Sequence, residues 1–217
     1  RRFFLLTSPM LTDARISLLR RDRRCVSSCG VTPRTCASQG SVLDVLGLPA
    51  PITVVLFDLD GVLTTTATLH MTAWRDAFNA FLTDRRSAAL PAAGEDLSPF
   101  TDQDYLDFVD GRPRDDGVRT FLAARGIVVD EATVSAVADG KNAAFVAAME
   151  RDGVTAYPGS VRYLNAARAA GLRIAVVTSS RNGAAVLEAA GLTEFVEQRV
   201  DGNTIVDEGL AGKPAPD

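Results

Sequence analysis

The distribution of apolar residues along the chain predicts alternating strands and helices. Residues 53–57, Thr-Val-Val-Leu-Phe, form a β-branched and apolar run without polar alternation, and residues 174–178, Ile-Ala-Val-Val-Thr, form a second one. Runs of this kind are typical of strands that are buried on both faces of a parallel sheet. A third, short strand is expected within residues 195–200. Helices are predicted before and after the second strand, each closed by an Ala-Ala-Gly-Leu segment.

Between the first two strands, the apolar positions follow helical spacing instead. Residues 68–82 carry a stripe of Leu69, Ala73, Ala77 and Phe81. Shorter helical patterns follow near residues 105–109 and 118–122, and a longer one covers about residues 131–151. We therefore predict an α/β fold, a Rossmann-like doubly wound parallel sheet with an inserted α-helical cap domain. The expected division is a core of residues 41–65 and 154–217, a helical cap of residues 66–153 and a separate segment of residues 1–40.

Charge separates this first segment from the rest of the chain. Residues 1–40 carry eight Arg and two Asp, whereas the whole chain has 23 basic and 27 acidic residues and a net charge of −4. The segment resembles an organelle transit peptide, and it equally fits translated upstream sequence or a disordered basic tail. We expect a disordered or non-domain extension. The acidic remainder argues against a nucleic-acid partner. No apolar run reaches the roughly 18 to 20 residues that cross a membrane.

All three cysteines, Cys25, Cys29 and Cys36, lie in the basic segment. Their spacing matches no common zinc pattern, and the single histidine is distant in sequence. A body without cysteine needs no disulfide framework and is compatible with a reducing compartment. We therefore expect a cytoplasmic protein.

The first strand ends in candidate chemistry. Asp58, Asp60 and Gly61 follow it directly, at the strand end where open α/β sheets bind ligands. Two aspartates there could form only a turn or a helix cap. As a functional pair they suit Mg²⁺, which prefers carboxylates together with phosphate oxygens. Asp58 would then attack phosphorus to form an aspartyl-phosphate, and Asp60 would transfer the proton of the leaving or entering oxygen.

The longer run of residues 57–64, Phe-Asp-Leu-Asp-Gly-Val-Leu-Thr, resembles the first motif of the haloacid dehalogenase superfamily. Val-Thr-Ser-Ser, which contains Thr178 and Ser179, resembles the second motif, in which a hydroxyl binds the transferred phosphate. Gly-Lys-Pro-Ala-Pro-Asp, which contains Lys213, resembles the third. This resemblance implies catalytic roles for Asp58, Asp60, Thr178 and Lys213. Without it, Thr178 would fit a cap of the next turn, and Lys213 a solvated loop.

Further segments resemble the β-phosphoglucomutase family: residues 69–74, 110–116, 140–142 and 180–183. In that family the counterpart of His70 orients the acid/base aspartate, that of Trp74 lies at the cap hinge, and that of Lys141 approaches the sugar. In that family the counterparts of Arg114, Ser180, Arg181 and Asn182 bind a distal phosphate. Ser179, which precedes this segment, is also expected to bind the substrate. Taken singly, each of these residues also fits a structural or solvated position.

Three departures from the family pattern qualify the resemblance. Thr65 replaces a usual Asp, Arg181 replaces a usual Lys, and the sequence ends at Asp217 before the acidic fourth motif that completes the Mg²⁺ site. We expect a C-terminally truncated chain with poor metal affinity.

The predicted function is phosphoryl transfer on a hexose phosphate, by resemblance the interconversion of β-glucose 1-phosphate and glucose 6-phosphate by a monomer that uses Mg²⁺. The alternatives are a sugar-phosphate phosphatase and an inactive fragment.

Overall fold

The computed structural model describes residues 3–6, 46–48, 52–88 and 94–213, with residues 3–6 described as backbone only. Of the basic segment, residues 1–40, only residues 3–6 lie within these ranges, and the three cysteines lie outside them. Residues 214–217 of the third motif also lie outside the described residues. Among the helices of the described ranges, none has the length and apolarity required to cross a bilayer.

Four parallel strands form one sheet in the order β1-β2-β3-β4. They are β1 (Phe3–Leu6), β2 (Val54–Phe57), β3 (Arg173–Val177) and β4 (Gln198–Val200). In the register of the two central strands, Leu56 lies opposite Ala175. Because the strands are parallel and in register, the residues that follow β2 and β3 meet at one edge of the sheet.

Helices follow the predicted order. They are α1 (Thr66–Ala88), α2 (Arg114–Ala124), α3 (Glu131–Asp152), α4 (Pro158–Ala169), α5 (Gly183–Ala189) and α6 (Gly202–Glu208). A short α-helical turn, Asp102–Asp104, continues into a π-helix, Tyr105–Val109, and a 3₁₀ turn, Thr193–Phe195, precedes β4. Together with the parallel sheet, these helices confirm the predicted α/β class.

Residues 3–6 differ from the prediction for the N-terminal segment. The sequence patterns predicted that residues 1–40 form a disordered or non-domain extension. Instead, Phe3–Leu6 pairs with Val54–Phe57 as a parallel strand. The physical reason is that an open sheet edge presents unpaired N–H and C=O groups, which an extended apolar segment can satisfy.

Two hydrophobic clusters bury the apolar stripes. One packs around the sheet and includes Val55, Phe57, Leu63, Leu164, Ile174, Val176 and Val186. The other lies among the inserted helices and includes Trp74, Phe78, Leu82, Phe100, Phe121, Leu122 and Val134. Phe78 is central to the second cluster, because its ring lies 4.2 Å from that of Phe121, 5.0 Å from that of Phe100 and 5.1 Å from that of Trp74.

We expect Phe78→Ala to lower the free energy of unfolding by about 3–5 kcal/mol, because it leaves a cavity among three aromatic rings. Urea unfolding followed by the fluorescence of Trp74, the only tryptophan, measures the change. Val128→Ala is the control, since Val128 is 86% exposed, and its effect should stay within about 0.5 kcal/mol. Equal effects of the two substitutions would contradict this assignment of the cap core.

Candidate active site

The carboxyl edge of the sheet brings the predicted catalytic residues together. Asp58 and Asp60 follow β2, and Thr178 follows β3 and is buried. The Thr178 hydroxyl donates a hydrogen bond to Asp60 Oδ2 at 3.1 Å, and Lys213 Nζ lies 2.8 Å from Asp58 Oδ1. Four residues that are up to 155 positions apart in the chain therefore form one cluster.

A tight turn directs the two aspartates into this cluster. Gly61 has a φ of +76°, its N–H donates to Thr64 O at 2.9 Å, and the N–H of Thr64 donates back to Leu59 O at 3.1 Å. A side chain at Gly61 would be strained by this left-handed backbone, and its Cβ would lie 3.3 Å from Ala67 Cβ. Glycine is therefore required for the sharp turn behind the carboxylates.

Asp58 is suited to act as a nucleophile. Its side chain is about one-quarter exposed, at 24%, so a ligand can reach it. Burial raises the pKa of Asp58, whereas the Lys213 ammonium and the N–H of Leu59, which donates to Oδ1 at 2.9 Å, oppose that rise. Lys213 thus stabilises the ionised carboxylate and places a positive charge where an anionic group would approach.

Asp60 is surrounded by hydrogen-bond donors. Burial alone would raise its pKa, but the adjacent His70 imidazole and hydrogen bonds from Thr66 and Thr178 lower the pKa of Asp60 to about 2. The Thr66 hydroxyl donates to Oδ1 at 2.5 Å, and His70 Nε2 lies 3.2 Å from the same oxygen. Asp60 is therefore an ionised base at neutral pH, with both oxygens fixed.

His70 connects Asp60 to the cap. Its Nδ1 lies 2.6 Å from Lys141 Nζ, and its ring stacks on Phe145 with centroids 4.1 Å apart. Burial and the nearby Lys141 lower the pKa of His70, so the imidazole is neutral. When Lys141 is protonated, its ammonium can only donate, so Nδ1 of His70 accepts and the His70 proton lies on Nε2, which faces Asp60.

Lys141 is a buried lysine among aromatic rings. Its Nζ lies 5.1 Å from the Trp74 ring centroid and 4.9 Å from that of Phe145. Burial, followed by the charge of Arg114, lowers the pKa of Lys141 to about 7. Lys141 therefore changes charge near neutral pH. Its ammonium contacts His70, which in turn contacts the acid/base aspartate, Asp60.

A second polar cluster connects the inserted helices to the sheet. Asn142 Oδ1 accepts hydrogen bonds from Arg114 Nη2 at 2.8 Å and from Asn182 Nδ2 at 2.9 Å. Asn182 occupies the position before α5, but its side chain makes no capping bond and donates to Asn142 instead.

The remaining predicted binding residues border this cluster. Arg181 lies 3.3 Å from Asp115, and the Ser179 hydroxyl donates to Gly111 O at 2.8 Å. Ser180 Oγ accepts from the backbone N–H of Asn182 at 3.2 Å. All three therefore make contacts within the protein, and their roles toward a ligand stay predictions.

The sequence patterns indicate no role for Thr66 or Asn142. Thr66 begins α1 and is buried against Asp60, and Asn142 lies beside the predicted Lys141. A run of three threonines directly after the aspartate motif was the available signal for Thr66, since hydroxyls beside a carboxylate supply donors.

The described residues fit a divalent metal only in part. Asp58 and Asp60 are adjacent hard oxygen donors, as Mg²⁺ prefers. Within the described ranges, however, no group of three acidic, histidine or cysteine side chains is placed to hold an ion. Asp58 Oδ1 is bound by Lys213, and both oxygens of Asp60 already accept hydrogen bonds. These residues therefore supply two carboxylates and no third.

Comparison with known proteins agrees with this geometry. The model of a family described as haloacid dehalogenase-like hydrolase matches residues 52–217. A protein of Mycobacterium bovis named beta-phosphoglucomutase is 46% identical over 183 residues, which cover 80% of this chain and 68% of that protein.

Solved structures share the fold. The β-phosphoglucomutase of Clostridium difficile has a TM-score of 0.55 and 23% identity, over 70% of this chain and 62% of that one. CbbY of Rhodobacter sphaeroides, solved in complex with phosphate, has a TM-score of 0.57 and 24% identity, over 76% and 68% of the two chains. The chain thus spans less than two thirds of the Clostridium structure. The matched family and the 46% identical relative support phosphoryl transfer of the haloacid dehalogenase type. The chain belongs to the haloacid dehalogenase-like hydrolase family.

Proposed function

We propose that this protein is an enzyme that transfers a phosphoryl group between two positions of a hexose phosphate through an aspartyl-phosphate on Asp58. The proposed reaction interconverts β-glucose 1-phosphate and glucose 6-phosphate. The observation that carries the proposal is the pair of carboxylates with opposite environments: Asp58 is accessible and bound to Lys213, and Asp60 is buried among donors. The name of the 46% identical relative supports the choice of substrate.

The acid/base steps follow from the ionised state of Asp60. In the first half-reaction, the oxygen of a sugar hydroxyl attacks the phosphorus of phosphorylated Asp58, and Asp60 accepts the proton of that hydroxyl. The bond between phosphorus and Asp58 breaks. The product is a sugar bisphosphate. In the second half-reaction, Asp58 attacks the other phosphate, the phosphorus–sugar bond breaks, and Asp60 returns its proton to the leaving oxygen. The base therefore acts first, as the lowered pKa of Asp60 requires.

Charge neutralisation is assigned to Lys213 and a metal. The Lys213 ammonium offsets the repulsion between Asp58 and an approaching phosphate. The family implies a divalent cation, for which we propose Mg²⁺, with Asp58 and Asp60 as the residues of this chain that would hold it. When bound, it would supply further neutralisation of the transferring phosphoryl group.

The second polar cluster is proposed to bind the phosphate that does not react. Burial, followed by the nearby charge of Arg181, lowers the pKa of Arg114. Two neighbouring guanidinium groups favour an anion between them. Ser179, Ser180 and Asn182 would add hydrogen bonds, and His70, Trp74 and Lys141 would contact the sugar. We propose that the enzyme acts as a cytoplasmic monomer.

A sugar-phosphate phosphatase is the second candidate. The matched family is described as hydrolases, and Asp58 is accessible enough for water to reach its phosphorylated form. Incubation with β-glucose 1-phosphate and a hexose bisphosphate primer distinguishes the two. We expect glucose 6-phosphate as the main product, whereas release of inorganic phosphate in its place would favour the phosphatase.

The role of Asp58 predicts the effect of removing its charge. We expect Asp58→Asn to lower kcat by at least about 10³-fold, because the amide is a poor nucleophile and cannot form the aspartyl-phosphate. The matched control is Asp207→Asn on α6, an exposed position, which should keep kcat within about twofold of the original. Turnover by Asp58→Asn at the original rate would exclude the proposed mechanism.

Lys141 predicts a pH dependence. Because its pKa is about 7, Lys141 is charged below that pH and neutral above it, so binding of an anionic substrate should weaken as the pH rises through 7. We expect KM to rise up to about tenfold between about pH 6.5 and 8.5. In Lys141→Met, which keeps the apolar packing against Trp74, this step should vanish. The ionisation of the substrate is common to both proteins and cancels. Identical pH profiles would contradict the assignment.

A further inference from the structure

Asn142 occupies the junction between the inserted helices and the sheet. It lies on α3, and its Oδ1 accepts from Arg114 of α2 and from Asn182 of the loop that follows β3. An amide oxygen has two lone pairs, so these two bonds fill its acceptor capacity. The side chain is half-buried, which limits competition from water.

The partner that fixes Arg114 is thus a neutral group. Among the described residues, no carboxylate lies within salt-bridge distance of Arg114, and the nearby Asp115 contacts Arg181. Asn142 therefore holds the guanidinium at a defined position without neutralising its charge. A carboxylate at the same position would accept the same two hydrogen bonds, but it would form an ion pair with Arg114.

We propose that Asn142 is a positioning residue for the distal phosphate of the substrate. It aligns the Arg114 guanidinium of the cap with the Asn182 amide of the core, so that one phosphate meets both. This inference rests on the proposed function and extends it to a residue to which the sequence patterns assign no role. It also makes tight binding of the anion dependent on contact between the two parts of the chain, since the three side chains belong to different elements.

Two substitutions separate alignment from simple tethering. Asn142→Asp keeps an acceptor oxygen for both hydrogen bonds, and Asn142→Ala removes it. A purely structural tether would make Asn142→Ala the more damaging change by every measure. If Asn142 aligns the anion site, the ranking of the two variants depends on the measurement. Asn142→Asp should have the higher Tm, and Asn142→Ala should have the higher affinity for a phosphorylated sugar.

The experiment is a titration of each protein with glucose 6-phosphate, monitored by the fluorescence of Trp74, together with thermal unfolding. Trp74 is the only tryptophan, and its ring centroid lies 5.1 Å from Nζ of the neighbouring Lys141. We expect Kd to rise about 5- to 10-fold for Asn142→Ala, through loss of alignment, and at least about 30-fold for Asn142→Asp, through the added negative charge and capture of Arg114. The charge-matched control is Asn165→Asp on the exposed face of α4, which should change Kd less than twofold.

The outcomes separate this inference from the proposed function. If the unsubstituted protein does not bind glucose 6-phosphate at all, the proposed function fails. If it binds, and Asn142→Ala retains its affinity within twofold, Asn142 does not position the anion site and the inference is overturned. If the alanine and aspartate variants lose equal affinity and equal Tm, Asn142 is only a structural tether. That result would also overturn the inference.

Discussion

The burial of two carboxylates at one strand end is the constraint on which this structure depends. Asp58 and Asp60 leave β2 two residues apart, and neither charge is tolerable at a partly buried position without compensation. The fold resolves this by giving the two groups different partners. Lys213 forms an ion pair with Asp58, whereas Asp60 accepts hydrogen bonds from the hydroxyls of Thr66 and Thr178. This difference assigns nucleophile and base.

The same compensation extends from the sheet into the cap. His70 links Asp60 to Lys141, and Lys141 is influenced electrostatically by Arg114. Arg114 is joined through Asn142 to Asn182, which returns to the sheet edge. The polar groups therefore form a nearly continuous path from the reacting carboxylates to the proposed distal-phosphate site. Since the path crosses between cap and core, an arriving bisphosphate would be held at both ends by elements from both parts.

Sequence patterns predicted the parts of this arrangement that follow from local periodicity. The uninterrupted apolar runs before Asp58 and Thr178 are confirmed as neighbouring parallel strands, β2 and β3. Pairing between strands that are distant in sequence was harder to predict. The β1 strand at residues 3–6 was not predicted, because a four-residue apolar run in a basic segment gives no signal of its partner. The π-helix at residues 105–109 appeared only as a short helix, since its wider turn has no distinct sequence pattern. The contacts of Asn142 could not be predicted either, because they require three elements to be placed in space.

Whether Asp58 carries the phosphoryl group is the central question, and chemical trapping answers it most directly. The protein is incubated with β-glucose 1-phosphate and a hexose bisphosphate, quenched in acid and reduced with borohydride, which converts an aspartyl-phosphate to homoserine. Peptide mass spectrometry then locates the modified residue. We expect homoserine at position 58 and unmodified aspartate at position 60. Homoserine at position 60, or at neither position while substrate is turned over, would contradict it.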